Sequence, residues 1–124
     1  MSQKPPRYKR RWRYYRNSGG ACPIEKFLDD LSDEDVDAVL ASMEDVREEG
    51  TRIAHFIRNE IYEVISPGKD RNYRILFSQE GKHEHILLAL VGFPKKTKKV
   101  PDSEIRLAES RLADWRSRGQ QSSH

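Results

Sequence analysis

Apolar residues recur along this chain in two rhythms, and the changes of rhythm divide it into elements. From Tyr8 to Tyr15 the residues alternate, with Tyr8, Trp12 and Tyr14 on one parity and Lys9, Arg11 and Arg13 on the other. A period of two predicts a strand with one aromatic and one basic face. Asn17-Ser18-Gly19-Gly20 breaks it. Pro23 suits a first helical residue, and Ile24, Phe27, Leu28 and Leu31 follow with the i, i+3, i+4, i+7 spacing of a short amphipathic helix. Ser32 with Asp35 three residues on resembles a capping box. Val36, Val39, Leu40, Met43 and Val46 then form a stripe ended by Gly50, predicting a second helix over about 33–49.

Thr51 to Asn59 carries weak signals and reads as a connector. Beyond it, Ile61–Ile65, Tyr73–Phe77 and Ile86–Val91 read as strands, separated by Pro67-Gly68-Lys69-Asp70 and Gln79-Glu80-Gly81-Lys82. Two hairpins in succession make an antiparallel meander. The third of these strands is apolar at nearly every position, which predicts burial on both faces. Pro101 and Asp102 open a last helix along which Ile105, Ala108, Leu112 and Trp115 share a face, and 119–124 reads as a frayed tail. The expected fold is α+β: an antiparallel sheet of about four strands, two N-terminal helices packed on it and a C-terminal helix, all within one domain over 1–118.

Composition narrows the setting. At 124 residues the chain fits one domain. Its longest apolar run, Ile86 to Phe93, is far short of the roughly 20 residues of a membrane-spanning helix. No apolar segment of signal-peptide length follows the basic N-terminal cluster, so a cytoplasmic protein without a membrane partner is expected. Cys22 is the only cysteine and cannot form an internal disulfide. His83 and His85 share one side of a strand, but a metal needs further ligands that the sequence does not supply, so no metal or other cofactor is expected.

The net charge of +3 conceals a segregation. Residues 1–22 carry seven cationic and no anionic side chains, residues 23–50 two and eleven, residues 51–101 ten and five, and residues 102–124 four of each. Such sorting predicts one cationic and one anionic face, the cationic one suited to a polyanion such as nucleic acid. The densest cationic run is Lys95-Lys96-Thr97-Lys98-Lys99, directly after the apolar strand. Lysines fixed at the end of a rigid strand can stabilise charge developing on a phosphodiester. Arg74 interrupts another apolar strand. It can offer a planar fork to phosphate from an open sheet face, or pair with an acid. Glu63, in mid-strand, can accept a proton or orient Arg74 through an ion pair.

Read in order, Pro23-Ile24-Glu25-Lys26-Phe27-Leu28, Ile61-Tyr62-Glu63-Val64, Asn72-Tyr73-Arg74-Ile75-Leu76-Phe77, Leu87 to Phe93, Lys95 to Pro101, and Glu104-Ile105 with Ala108 resemble the RelE/HigB-type toxins of bacterial and phage toxin–antitoxin modules, most closely a phage-derived HigB-like subgroup. The resemblance runs from about Tyr14 to Trp115. It implies a small α+β ribonuclease that cleaves mRNA, commonly on the ribosome, and is neutralised by a cognate antitoxin, here expected to be a helix-turn-helix protein. By position, Arg74 matches the strand arginine of the family's Tyr-Arg motif, and Lys95 and Lys96 match the basic pair after the Gly-Phe turn. Two positions depart: Ile65 stands where many relatives have Arg, and Val91 where many have His. Each removes a polar group from the expected active face.

The function expected is a metal-independent endoribonuclease toxin in which the 2′-hydroxyl attacks the adjacent phosphate. Arg74, Lys95 and Lys96 are the catalytic candidates, with either lysine as acid or base. Arg71, Tyr73, Lys98, Lys99, Arg11 and Arg13 are expected to contact RNA, and Glu63 to orient Arg74. A catalytically silent relative that binds RNA or antitoxin on the same fold is the alternative. A DNA-binding regulator is disfavoured, since no helix carries the basic residues of a major-groove reader.

Overall fold

The computed structural model describes residues 9–119, in which a five-stranded sheet lies between two helices on one face and a third on the other. The elements are β1 (Arg11–Tyr14), α1 (Pro23–Asp29), α2 (Asp33–Glu49), a single 3₁₀ turn (Gly50–Ile53), β2 (His55–Arg58), β3 (Ile61–Pro67), β4 (Asn72–Glu80), β5 (Ile86–Pro94) and α3 (Asp102–Ser117). The α+β class, the meander β3-β4-β5 and all three helices are as expected. Tyr8, and 120–124 of the expected tail, lie outside the described residues.

The sheet has one strand more than expected. Its order is β1-β5-β4-β3-β2, antiparallel throughout except for β1, which pairs parallel to β5. The additional strand is β2, formed from the expected connector. It is a short edge strand whose pairing with β3 is shifted between Phe56 and Arg58. An edge strand with little buried surface has no need of apolar alternation, so His55-Phe56-Ile57-Arg58 leaves no period-two signature.

Both faces of the sheet are buried. Against α1 and α2 pack Val64, Tyr73, Ile75, Phe77, Leu87 and Ala89, meeting Ile24, Val39, Met43 and Val46. Against α3 pack Ile61, Leu76, Leu88, Leu90, Val91 and Phe93, meeting Ala108, Leu112 and Trp115. This double burial is why β5 reads as an unbroken apolar run. Each fully buried Leu of that strand contributes about 1.5–3 kcal/mol over exposure. The α2 helix starts where the capping signal placed it, with Ser32 Oγ accepting from the Asp35 backbone N–H at 3.2 Å.

A bulge in β5 decides which way the end of that strand points its side chains. Phe77 pairs with Ala89 but Leu76 pairs with Val91, so Leu90 is the extra residue and the side-chain parity reverses beyond it. Val91 and Phe93 therefore face α3, and Gly92 faces α1. Gly92 is required by the close approach of Phe27, since a Cβ there would lie 2.5 Å from Phe27 Cδ2. Gly92→Ala should push α1 off the sheet and cost about 1–3 kcal/mol, read as a lower urea midpoint at constant m-value. An unchanged midpoint would show that the contact is slack.

Candidate functional site

The α3 face of β3 and β4 carries a buried ion pair. Glu63 pairs with Leu76 and Ile65 with Arg74, so Glu63 and Arg74 are diagonal neighbours on one face, within reach of long side chains. Arg74 Nε lies 2.6 Å from Glu63 Oε2, with Arg74 1% and Glu63 5% exposed. The approach lies outside hydrogen-bond alignment, so the contact is an ion pair. The two terminal nitrogens of Arg74 donate to the carbonyl oxygens of Lys98 at 2.5 Å and Lys99 at 3.2 Å. One guanidinium thus fastens the lysine loop to the middle of the sheet.

The sequence pattern leaves Arg74 as either a phosphate fork on an open sheet face or the partner of an acid. The structure shows the pairing and corrects the open face, because Arg74 is buried and its terminal donors turn to the backbone of the 95–99 loop. A buried cation without such partners would cost several kcal/mol. Of the two roles open to Glu63, the ion pair is the one found.

Beside the pair lies an open cavity of about 620 Å³, lined by residues that include Phe56, Arg58, Glu63, Lys98, Lys99 and Asp102. Glu63 is buried there, while the lysines are exposed. Arg58 is already engaged, donating to Glu109 at 3.2 and 3.1 Å and to Asp102 at 2.7 Å. Glu109 first, then Asp102, raise its pKa further and hold it cationic. On β2, His55 stands directly opposite Glu63, its Nδ1 3.4 Å from Glu63 Oε1. His55 and Arg58 escape sequence reasoning because the segment carrying them has no strand pattern; the only signal available is two polar residues bracketing Phe56-Ile57.

The other expected residues are distributed elsewhere. The Lys95 backbone N–H donates to the Asn72 carbonyl at 2.8 Å, which fixes the start of the loop, but neither Lys95 nor Lys96 lines the cavity. Tyr73 faces the opposite side of the sheet and is buried, correcting its expected RNA contact: its hydroxyl donates to Asp35 Oδ2 at 2.5 Å. That hydroxyl first, and then the Lys69 N–H at 2.9 Å, hold the Asp35 carboxyl below its ordinary value. Arg71 lies exposed at a separate depression with Asp35 and Tyr73. Arg11 and Arg13 are on β1, at the far edge from β2, roughly 19 Å away at ordinary strand spacing. They cannot complete the cavity. Ile65 stands beside Arg74 in register, and Val91 is buried against the α3 side of the sheet. No helix of the described residues is long and apolar enough to cross a membrane.

Arg74→Ala should lose about 3–5 kcal/mol in urea denaturation, because Glu63 is left buried without its cation. A stable variant would mean that water replaces the guanidinium. For Asp35→Asn the expectation depends on pH. A depressed folded-state pKa stabilises fully above the unfolded value near 3.9 and loses that effect as pH falls through the folded value. The variant should therefore be less stable than the parent at pH 7, and the difference should shrink below about pH 4. A difference in thermal midpoint that is the same at pH 7 and pH 3 would contradict this.

The cavity residues all fall in the part of the chain that comparison identifies. The model of the family described as Phage derived protein Gp49-like (DUF891) matches residues 26–113, from within α1 to within α3. No curated protein matches the chain significantly. The matched segment excludes β1, with Arg11 and Arg13, and includes the ion pair, the lysine loop and His55. By that match over most of its length, the chain belongs to the Gp49-like family of phage-derived proteins.

Proposed function

We propose that this protein is the toxin of a type II toxin–antitoxin pair: a cytoplasmic, metal-independent endoribonuclease of HigB-like type that cleaves mRNA, on the ribosome, by attack of the 2′-hydroxyl on the adjacent phosphodiester. The observation that carries the reading is the Arg74 clamp. It anchors the backbone of Lys98 and Lys99 at the rim of a cavity that also contains the Glu63 carboxylate. Catalysis of phosphoryl transfer by this route needs fixed cations where charge develops on the phosphate oxygens, and groups that accept and donate a proton. Lys98 and Lys99 suit the first need. Lys95 and Lys96, on the same loop, extend the cationic surface, and one of them is the proposed acid for the departing 5′-oxygen.

Within this reading Arg74 is a positioning residue, not a direct phosphate ligand. The acidic α2 lies on the opposite face of the sheet from the cavity, so RNA can meet the lysines without crossing that helix. The proposed partners are mRNA, the ribosome and an antitoxin of helix-turn-helix type. The phage-derived family and the ordered Tyr73-Arg74 and Gly92-Phe93-Pro94-Lys95-Lys96 motifs support the same reading.

Induced expression with growth and mRNA integrity followed together tests it. The parent should arrest growth and shorten translated mRNA, while Lys98→Ala/Lys99→Ala should do neither. Because Arg74 holds carbonyls and not lysine side chains, that variant should keep its circular dichroism and urea midpoint. Its RNA affinity should lose salt dependence, by about 0.7 in log–log slope for each single-strand phosphate contact removed. Arrest with intact mRNA would point to a different target. RNA binding without cleavage by the parent would identify the silent relative.

A further inference from the structure

The ribonuclease reading leaves one chemical task unassigned, the group that takes the proton from the 2′-hydroxyl. Among the described residues, His55 has the geometry for it. It lies on the edge strand directly opposite Glu63, with its side chain 65% exposed and Nδ1 3.4 Å from Glu63 Oε1. Its neighbours Phe56, Ile57 and Arg58 line the cavity that holds Lys98 and Lys99. The other oxygen of Glu63 is committed to Arg74 Nε. The carboxylate therefore cannot swing away, and the oxygen left over faces the imidazole.

Resting on the ribonuclease reading, we propose that His55 is the general base of the reaction and that Glu63 positions it. The carboxylate receives the Nδ1–H, which fixes the tautomer and leaves Nε2 as the acceptor on the exposed side of the ring. The 3.4 Å approach is long for a hydrogen bond, as is common before a substrate closes such a pair. In the reaction the 2′-hydroxyl proton passes to Nε2 while the 2′-oxygen bonds to phosphorus. The bond from phosphorus to the 5′-oxygen breaks, and that oxygen takes a proton from a loop ammonium or water. The products are a 2′,3′-cyclic phosphate and a 5′-hydroxyl, and the imidazolium returns its proton to solvent. Nothing is oxidised or reduced.

Arg74, Glu63 and His55 then form a line of three side chains across β4, β3 and β2, running from a fully buried cation to an exposed base. His55 stands beside the cavity, whose charged lining is Glu63, Arg58 on β2, Lys98 and Lys99 in the loop, and Asp102 at the start of α3. Glu63 is the carboxylate within 4 Å of the imidazole, whereas Asp102 is engaged with Arg58 and Arg106.

The test is single-turnover cleavage by the purified protein of ribosomes programmed with a short mRNA, and of a free single-stranded oligoribonucleotide. His55→Ala should lower the rate by about 10² or more while binding stays within a factor of about two, and added imidazole should restore cleavage in proportion to its concentration. Retained cleavage in His55→Ala would overturn the assignment of His55 and leave the ribonuclease reading standing. No cleavage of either substrate by the parent would overturn the ribonuclease reading, and this proposal with it. For Glu63 the readout is the split between kcat and RNA affinity. Glu63→Asp keeps a carboxylate for Arg74 on a side chain one methylene shorter, so it should lower kcat with RNA affinity and urea midpoint unchanged. A Glu63→Asp variant with full kcat would reduce Glu63 to a structural residue.

Discussion

A guanidinium with almost no contact with water sits at the centre of this protein, and much else is arranged to make it tolerable. Desolvating Arg74 costs more than any single neutral contact returns, so its charge must be met by several oxygens. Glu63 supplies one from the adjacent strand, and Lys98 and Lys99 supply two from their main chain. The last two are the informative ones. A loop of four lysines in five residues repels itself and would otherwise fan into solvent. Tying its backbone to a buried charge gives it one conformation without using any lysine side chain.

How much of this is legible in the sequence depends on which force decides each part. The helices are readable because Pro23, Ser32 and Gly50 mark their ends and the stripes between them match a helical period. The buried strands are readable because double burial demands apolar residues at most positions. β2 is not, because its place is fixed by hydrogen bonding to β3 and not by burial, and His55 and Arg58 are hidden with it. The partnership of Arg74 and Glu63 is visible as one of two options, but the closure of their face by α3 and the loop is not, since local pattern carries no signal of what covers a strand. Tyr73 is misplaced for a related reason: adjacent strand residues face opposite ways, and only the tertiary packing shows that its side belongs to α2 and Asp35.

The division of the sheet into two faces also organises the charge. The α2 side carries the most acidic helix and a neutral aromatic core in which Trp12 and Phe77 meet edge to face with centroids 5.1 Å apart. The α3 side carries the buried pair and the lysine loop. Membership of the Gp49-like family is consistent with this division, because the matched segment spans the helices and strands that create it. At the β2 end of the sheet, edge exposure keeps an imidazole and two lysines in contact with solvent near a carboxylate that is almost wholly buried.

The parallel pairing of β1 with β5 has a consequence for the order of events during synthesis. Arg11 lies opposite Ile86 and Tyr14 opposite Ala89, so the strand made first has no hydrogen-bonding neighbour until most of the chain exists. Closing so long a loop is slow compared with forming the adjacent hairpins, and it yields only four residues of pairing. Until then Trp12 and Tyr14 have only the residues of α1 and α2 to pack against. The residues that shape the cavity carry no such delay, because β2 to α3 are contiguous. A nascent chain can therefore build its cavity first and pair β1 last.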